Sequence, residues 1–295
     1  MIDFKKLTLE DRDWVNACLA KADYRGCEYS FGNNFIWEGS HNIRTAEVEG
    51  FYCAISGKGD NIIYTYPAGA GDIKKVLELL IEDAKERGIS FKMRGLIQEQ
   101  TKQLEEIFPG MFECELRRDE SDYLYTVEKL SKLSGKKLHG KRNHIARFKD
   151  CEDWEFVEIT DENIHECKEM NERWCEKYNC DEKEGLKEEL CAVERAFDYF
   201  NELGFCGGFI RRKGEVVAYS IGEPLSSDTF DVHIEKAFHD IQGAYPMINQ
   251  QFVQHFCQDF KYVNREEDTG DMGLRKAKLS YYPDILLDKY EAVLK

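Results

Sequence analysis

Two stretches of the chain, 152 residues apart, open alike. Phe4-Lys5-Lys6-Leu7-Thr8-Leu9-Glu10-Asp11 and Phe156-Val157-Glu158-Ile159-Thr160-Asp161-Glu162-Asn163 carry Phe, an aliphatic residue, Thr and Glu at matched positions. Each reads as a short strand feeding a helix capped by Thr, whose hydroxyl can accept from the free amides of a first turn. A 295-residue chain that starts the same way twice is constrained to two units of ordinary domain size. We expect a first unit over residues 1–128, a basic connecting helix over 129–150 and a second unit over 151–295.

The parallel continues. After Thr160, Ile164, Cys167, Trp174 and Tyr178 fall at roughly helical spacing, and Leu186, Leu190, Val193, Phe197 and Phe200 repeat at four, three, four and three. After Thr8, Trp14, Val15, Cys18 and Leu19 mark a weaker helix, followed by Gly26 and a loop over Tyr29–Asn34. Antiparallel meanders come next, residues 51–55 and 61–65 in the first unit and 208–211, 216–221 and 229–235 in the second, divided by Gly57, Gly59 and Gly214. Each meander meets a Gly loop and a helix: Pro67-Ala68-Gly69-Ala70-Gly71-Asp72 before Ile73, and Gln242-Gly243-Ala244-Tyr245-Pro246 before Met247. A short strand closes each unit, at 90–93 and 261–264.

This order resembles the GNAT acyltransferase fold, in which amides at a helix start receive a phosphate or pyrophosphate. The fold class is therefore α+β, with tandem GNAT-like domains built on two mixed, mostly antiparallel sheets flanked by helices. No GxGxxG opens a helix after a first strand, and GxxxxGK[ST] does not occur, which excludes dinucleotide-binding and P-loop readings.

Charge is unevenly spread. Fifty-seven acidic against forty-one basic residues give a net charge of -16, which repels DNA and anionic lipid over most of the surface. Residues 136–149 nevertheless hold six Lys or Arg, two His and no acid. Lys137, Lys141, Arg142 and Arg147 are candidates to dock phosphates, as on a tRNA; a solvated helix face is the plainer alternative. Eleven cysteines with no CxxC pair, Cys175 and Cys180 being the closest, argue against a disulfide framework or a four-cysteine zinc site. Seven dispersed histidines argue against a metal centre of the HxxxH type, and no metal is expected. Lacking an 18-residue apolar run or the apolar core of a signal peptide, the chain is expected to be soluble and cytoplasmic.

Residues 219–224 (YSIGEP), 233–236 (HIEK), 243–245 (GAY) and 263–283 (VNREEDTGDMGLRKAKLSYYP) resemble the catalytic domain of bacterial phosphatidylglycerol lysyltransferases. The basic helix fits that resemblance, which extends more distantly to Fem-type peptidyltransferases. It is strongest over 130–295 and implies aminoacyl transfer from aminoacyl-tRNA to a lipid or peptide acceptor, with no tightly bound cofactor. An acyl-CoA-dependent N-acetyltransferase, with pyrophosphate on Gln242, Gly243 and Ala244, is an alternative. A non-catalytic binding protein that keeps the fold is another.

Aminoacyl transfer needs a positioned nucleophile, a proton acceptor and donors for the oxyanion. Alternation in Phe230-Asp231-Val232-His233-Ile234-Glu235 puts Asp231, His233 and Glu235 on one strand face, about 6.6 Å apart in succession. A solvated face is the plainer reading, most of all for Asp231. His233, Glu235, Asp268 and Lys278 are the catalytic candidates. Glu223, Glu266, Arg275 and Tyr281 are the substrate-binding candidates: Glu266 with Asp268 for an ammonium, Arg275 with Lys278 for a phosphate or carboxylate, and Glu223 as an addition to the polar cluster of the strand. Asp271 is expected to cap a helix that begins near Met272 and carries Arg275 and Lys278 on one face.

Overall fold

The computed structural model describes residues 1–150, 153–180 and 184–295. The first half runs β1 (Lys5–Lys6), α1 (Arg12–Ala22), α2 (Phe31–His41), β2 (Arg44–Val48), β3 (Phe51–Ser56), β4 (Ile63–Thr65), β5 (Ala68–Gly69), α3 (Ile73–Arg87), β6 (Lys92–Leu96), α4 (Gln98–Ile107) and β7 (Phe112–Leu116). β8 (Asp122–Thr126), α5 (Val127–Lys132) and α6 (His139–Lys149) connect the halves. The second half runs β9 (Trp154–Glu158), α7 (Ile164–Tyr178), α8 (Glu184–Asp198), α9 (Phe200–Leu203), β10 (Cys206–Arg212), β11 (Glu215–Pro224) and β12 (Thr229–Ala237). It ends with α10 (Ala244–Phe256), β13 (Tyr262–Asn264), α11 (Met272–Leu279), β14 (Ile285–Leu287) and β15 (Tyr290–Leu294).

The strands form two mixed sheets, β1-β2-β3-β4-β6-β15-β7 with β5 on β3, and β14-β8-β13-β12-β11-β10-β9. The pairs β4–β6 and β12–β13 are parallel. A parallel pair needs a crossover, and α3 and α10 supply one in each half. The other pairs are antiparallel, so each half has the strand, helices, meander, helix and strand order of a GNAT-like domain. Apolar residues of both halves, Leu7, Val15 and Phe35 with Phe197, Phe209 and Tyr219 among them, share one core. A second core joins Val76, Leu77, Leu80 and Met93 of the first half with Ala292 of β15.

Three local features differ from the sequence expectation. Residues 29–34 do not form a loop: α2 starts at Phe31 because the Ser30 hydroxyl accepts from the Asn33 amide, and the Asn33 and Asn34 side chains donate to carbonyls of Cys27, Glu28 and Ser30. The basic segment is two helices rather than one. Leu133 and Gly135 take positive φ, and Arg142 donates to the carbonyls of both, bracing the break. Finally, Thr160 is not the cap of α7, which starts at Ile164 after Asn163; the Asn163 side chain instead accepts from the Thr160 amide at 2.7 Å.

Sheet membership also crosses the 128/129 boundary in both directions. β8 pairs with β13 and β14 in the second sheet, while β15 inserts between β6 and β7 of the first. The expected start of the second unit, residue 151, lies outside the described residues. The crossing point is fixed by Asp122, whose carboxylate accepts from the Lys289 ammonium at 2.6 Å, the Asn264 amide at 2.8 Å and the Cys27 backbone N–H at 3.0 Å. Lys289 also meets Glu28 at 2.7 Å and the Cys27 thiol at 3.3 Å. Asp122 and Lys289 are both buried.

Removing one partner of a buried pair strands the other charge, so Lys289→Met should destabilise the protein by about 3–5 kcal/mol in urea denaturation. Asp122→Leu combined with Lys289→Met should recover part of that loss. Equal stability of Lys289→Met and the parent would show that the pair does not hold the crossing.

Candidate functional site

A β-bulge brings the site together. The register between β11 and β12 shifts between Ile221 and Gly222, and a Cβ on Gly222 would stand 2.1 Å from the Asp231 carbonyl, so only glycine fits. The bend aims Glu223 at His233 of β12. Glu223 Oε1 lies 3.1 Å from His233 Nε2, and Glu266 Oε1 lies 2.9 Å from Nδ1. Asp231 Oδ2 is 3.7 Å from the same Nδ1, and the Phe205 ring flanks the imidazole with centroids 5.4 Å apart.

The first half completes this cluster. Ser30 donates its hydroxyl to Glu223 in a short hydrogen bond. A Cβ on Gly32 would stand 2.4 Å from Glu223 Oε1 and from the Phe205 ring, so glycine here lets the start of α2 close over the cluster. Asp231, read from sequence as solvated, is fully buried beneath this cover. Glu266 reaches His233 from a turn in which Glu266 and Thr269 both have positive φ.

Burial works against a charged imidazole, but Asp231, Glu223 and Glu266 outweigh it and hold the His233 pKa well above its usual value. Burial pushes Asp231 well above the ordinary carboxylate range, with His233 opposing. Burial likewise raises Glu266, opposed by its bond to His233. Among the described residues neither Asp231 oxygen has a hydrogen-bond partner.

The remaining predicted residues fall into three groups. Glu235 shares the strand with His233 but binds Arg265 at 2.7 Å and the Asn249 amide at 2.9 Å. Asp268 is fully buried and paired with Arg275 at 2.7 and 2.9 Å, with Arg118 at 3.4 Å and with the Tyr123 hydroxyl at 2.5 Å. Burial would raise its pKa, yet bonds from Arg275, Tyr123 and the Gly270 amide bring it down to about 2. Lys278 is buried and donates to the backbone carbonyls of Arg265, at 2.6 Å, and Glu267. Asp268, Arg275 and Lys278 thus clamp the turn that presents Glu266, and Asp271 caps α11 through the Leu274 amide as expected.

The second group is basic. Lys141 lies 3.9 Å over the Tyr281 ring and Lys137 lies 5.0 Å over Tyr282. Arg265 Cζ is 4.9 Å from the centroid of the Tyr281 ring and its guanidinium binds Glu235, so Lys141, Tyr281, Arg265 and Glu235 form a path that ends on β12, two residues from His233. Burial, then Arg265, lowers Lys141 to about 8, opposed by Glu235. Arg142 is committed to the α5–α6 turn, and Arg147 is exposed, away from this path.

The third group is the Gly loop at α10. Gly243 has a positive φ, and a Cβ there would stand 2.3 Å from the His144 carbonyl of α6. The Ala244 amide donates to Ile241 at 3.1 Å, Pro246 has no amide to offer, and Gln242 lies 3.5 Å from His144. Residues that sequence reasoning missed are Ser30, Gly32 and Arg265. Ser30 and Gly32 had a signal, a small polar cap and a small residue before an apolar helical pattern. Arg265 stood within the quoted motif beside Glu266.

Fold and site together define a chain of two GNAT-like halves with a buried His–carboxylate cluster where the start of α2 meets the second sheet. A profile of the phosphatidylglycerol lysyltransferase C-terminal family matches residues 19–293, and the chain belongs to that family. A conserved protein of unknown function from Bacteroides thetaiotaomicron is 42% identical over the full length of both chains, with a TM-score of 0.96. L-PGS from Bacillus licheniformis is 16% identical, with 100% of this chain and 94% of that chain covered and a TM-score of 0.70. A C-terminal DUF2156 domain from Agrobacterium fabrum is 13% identical, with 97% and 92% covered and a TM-score of 0.70. An uncharacterized protein of Mycoplasmoides gallisepticum is 22% identical over 177 residues, 59% of this chain and 56% of that protein. The chain thus spans about half the length of that curated relative. Among the described residues no helix is long and apolar enough to cross a membrane.

Two predictions follow from packing and charge. Gly32→Ala should cost about 1–3 kcal/mol by overpacking, whereas Gly39→Ala in the same helix, with nothing within 4 Å of its Cβ, should stabilise by about 0.4–1 kcal/mol; thermal melts compare them. Asp268 has a lowered folded pKa, so its contribution is present above about pH 4 and lost as pH falls through about 2. Asp268→Asn should therefore flatten the acid limb of the stability curve in that window, and an unchanged limb would contradict the assignment.

Proposed function

We propose that this chain is an aminoacyltransferase, moving an aminoacyl group from aminoacyl-tRNA to a small, lipid or peptide-like acceptor. The observation that carries the reading is the path Lys141–Tyr281–Arg265–Glu235, which brings a cationic shelf to the strand face that holds the buried His233 cluster. Lys137 and Lys141 offer charge to donor phosphates, each resting on a tyrosine ring. Glu223, partly open at the edge of the cluster and bonded to His233 and Ser30, takes the acceptor's proton as the acceptor attacks the ester carbonyl. The bond from the carbonyl carbon to the ribose oxygen then breaks, and that oxygen leaves with a proton returned through the same Glu223–His233 pair.

Two features support this donor over acyl-CoA. The start of α10 has few free amides, and α6 lies against Gly243, where a pyrophosphate would have to sit. Against a protein that only binds a partner, the His233 cluster differs from the structural Asp122–Lys289 pair in opening at its edge through Glu223, as buried groups at chemical sites do.

A charged-tRNA binding and deacylation assay tests the reading. Lys137→Glu with Lys141→Glu should weaken charged-tRNA binding and reduce the salt slope by roughly 2, and Glu223→Gln should cut turnover roughly 100-fold while leaving binding intact. Absence of charged-tRNA binding alongside acetyl-CoA binding would overturn the donor assignment. Because Lys141 is cationic below about pH 8 and neutral above it, binding should weaken from pH 7 to pH 9, and Lys141→Arg should abolish that dependence.

A further inference from the structure

Glu266 and Glu267, adjacent in the chain, feed two acidic clusters that differ in one respect. The Glu267 carboxylate lies 3.5 Å from the Cys27 thiol, in a group completed by Asp122 and filled by the Lys289 ammonium. The Glu266 group, with Asp231, His233 and Glu223, holds no lysine or arginine among the described residues, and the His233 imidazole is its one basic group. Among the described residues the nearby cations are committed elsewhere: Arg265 to Glu235, Lys278 to backbone carbonyls and Lys289 to Asp122 and Glu28. Asp231 is fully buried, and among the described residues neither of its oxygens has a hydrogen-bond partner. Such a carboxylate is expensive to bury unless something absent from the chain itself completes it.

We infer that Asp231, His233 and Glu266 form a binding site for a divalent transition-metal ion. One ligand atom from each lies within 4.8 Å of the others, with His233 Nδ1 at 2.9 Å from Glu266 Oε1 and 3.7 Å from Asp231 Oδ2. Around an ion with bonds of about 2.1 Å, neighbouring ligand atoms sit roughly 3.0–3.4 Å apart. Around an ammonium with contacts of about 2.8 Å, its three acceptors would sit roughly 4.6 Å apart. The two spacings at Nδ1, 2.9 and 3.7 Å, lie nearer the smaller sphere than the larger, which favours a metal over a substrate amine.

The outer contacts are already in place. A ligating histidine ordinarily donates its other ring N–H to a carboxylate, which fixes the ring, and His233 Nε2 has Glu223 at 3.1 Å. Glu223 is itself held by Ser30, and the ring is flanked by Phe205. One imidazole nitrogen with two carboxylate oxygens favours Mn²⁺, Fe²⁺ or Zn²⁺ over Mg²⁺ or Ca²⁺, which take oxygen ligands alone. On binding, the Nδ1 proton leaves and Nε2–H stays on Glu223, so the partly open carboxylate assigned to proton transfer keeps its partner.

The inference goes beyond the transferase reading, and its test needs neither tRNA nor acceptor, so either can fail alone. Chelator-treated full-length protein is titrated with Mn²⁺, followed by electron paramagnetic resonance and thermal melts; Zn²⁺ and Mg²⁺ serve as competitors. Mn²⁺ avoids the exposed thiols of Cys114 and Cys191. One Mn²⁺ per chain, displaced by Zn²⁺ and not by Mg²⁺, is expected. Asp231→Asn, which keeps the shape and removes the buried charge, should hold or raise the metal-free Tm while abolishing the metal-induced rise. Glu223→Gln should weaken binding roughly 10- to 100-fold. No Mn²⁺ or Zn²⁺ binding, binding unchanged in Asp231→Asn, or displacement by free lysine at millimolar concentration would overturn the assignment.

Discussion

The buried pair of Asp122 and Lys289 is the interaction on which the architecture turns. Asp122 opens a strand of the second sheet, Lys289 immediately precedes a strand of the first, and both are shut away from water. Asp122 also accepts from Asn264 and Cys27, so one carboxylate ties β8, β13 and the segment before α2 together. The same segment carries Ser30 and Gly32 to the His233 cluster. Neither half could hold its register there independently of the other, because the residues that cover the site belong to the first half and the ionisable groups to the second.

This arrangement separates two tasks that the sequence had assigned to one set of residues. Asp268, Arg275 and Lys278 spend their charge on holding a tight turn, and Glu266 and His233 face one another because of it. A motif dense in charge is in this case mostly scaffold, with a single carboxylate presented by it. The shelf formed by Lys137 and Lys141 is similarly mixed: the ammonium groups rest on Tyr282 and Tyr281, and the Tyr281 ring also stacks against Arg265.

Much of the fold was legible because periodicity is local. Apolar spacing from Ile164 to Phe200 and the alternation through β12 depend on near neighbours, and the matched openings at Phe4 and Phe156 exposed the duplication. Exchange of β8 and β15 between sheets was not legible, since strands of five residues carry no mark of their partner. At the site, His233, Glu223 and Glu266 could be singled out by type and by the family resemblance. The burial of Asp231 could not: alternation says which residues share a face, and only the distant arrival of α2 decides whether water reaches it. Ser30 was hidden for a related reason, as its neighbours Gly32, Asn33 and Asn34 are poor helix formers whose side chains and backbone are used for capping and close packing.

The position of β15 has a consequence for how the chain acquires its shape. Among the described residues β7 pairs only with β15, and β6 has β15 as one of its two neighbours, so the first sheet keeps a gap until the strand at 290–294 is made. Until residues 290–294 emerge, β6 and β7 present unpaired amides and carbonyls, the kind of edge that invites association with other chains. The sheet that begins first is therefore completed after the second, and a chain cut short before residue 290 would carry an open seam rather than a folded half.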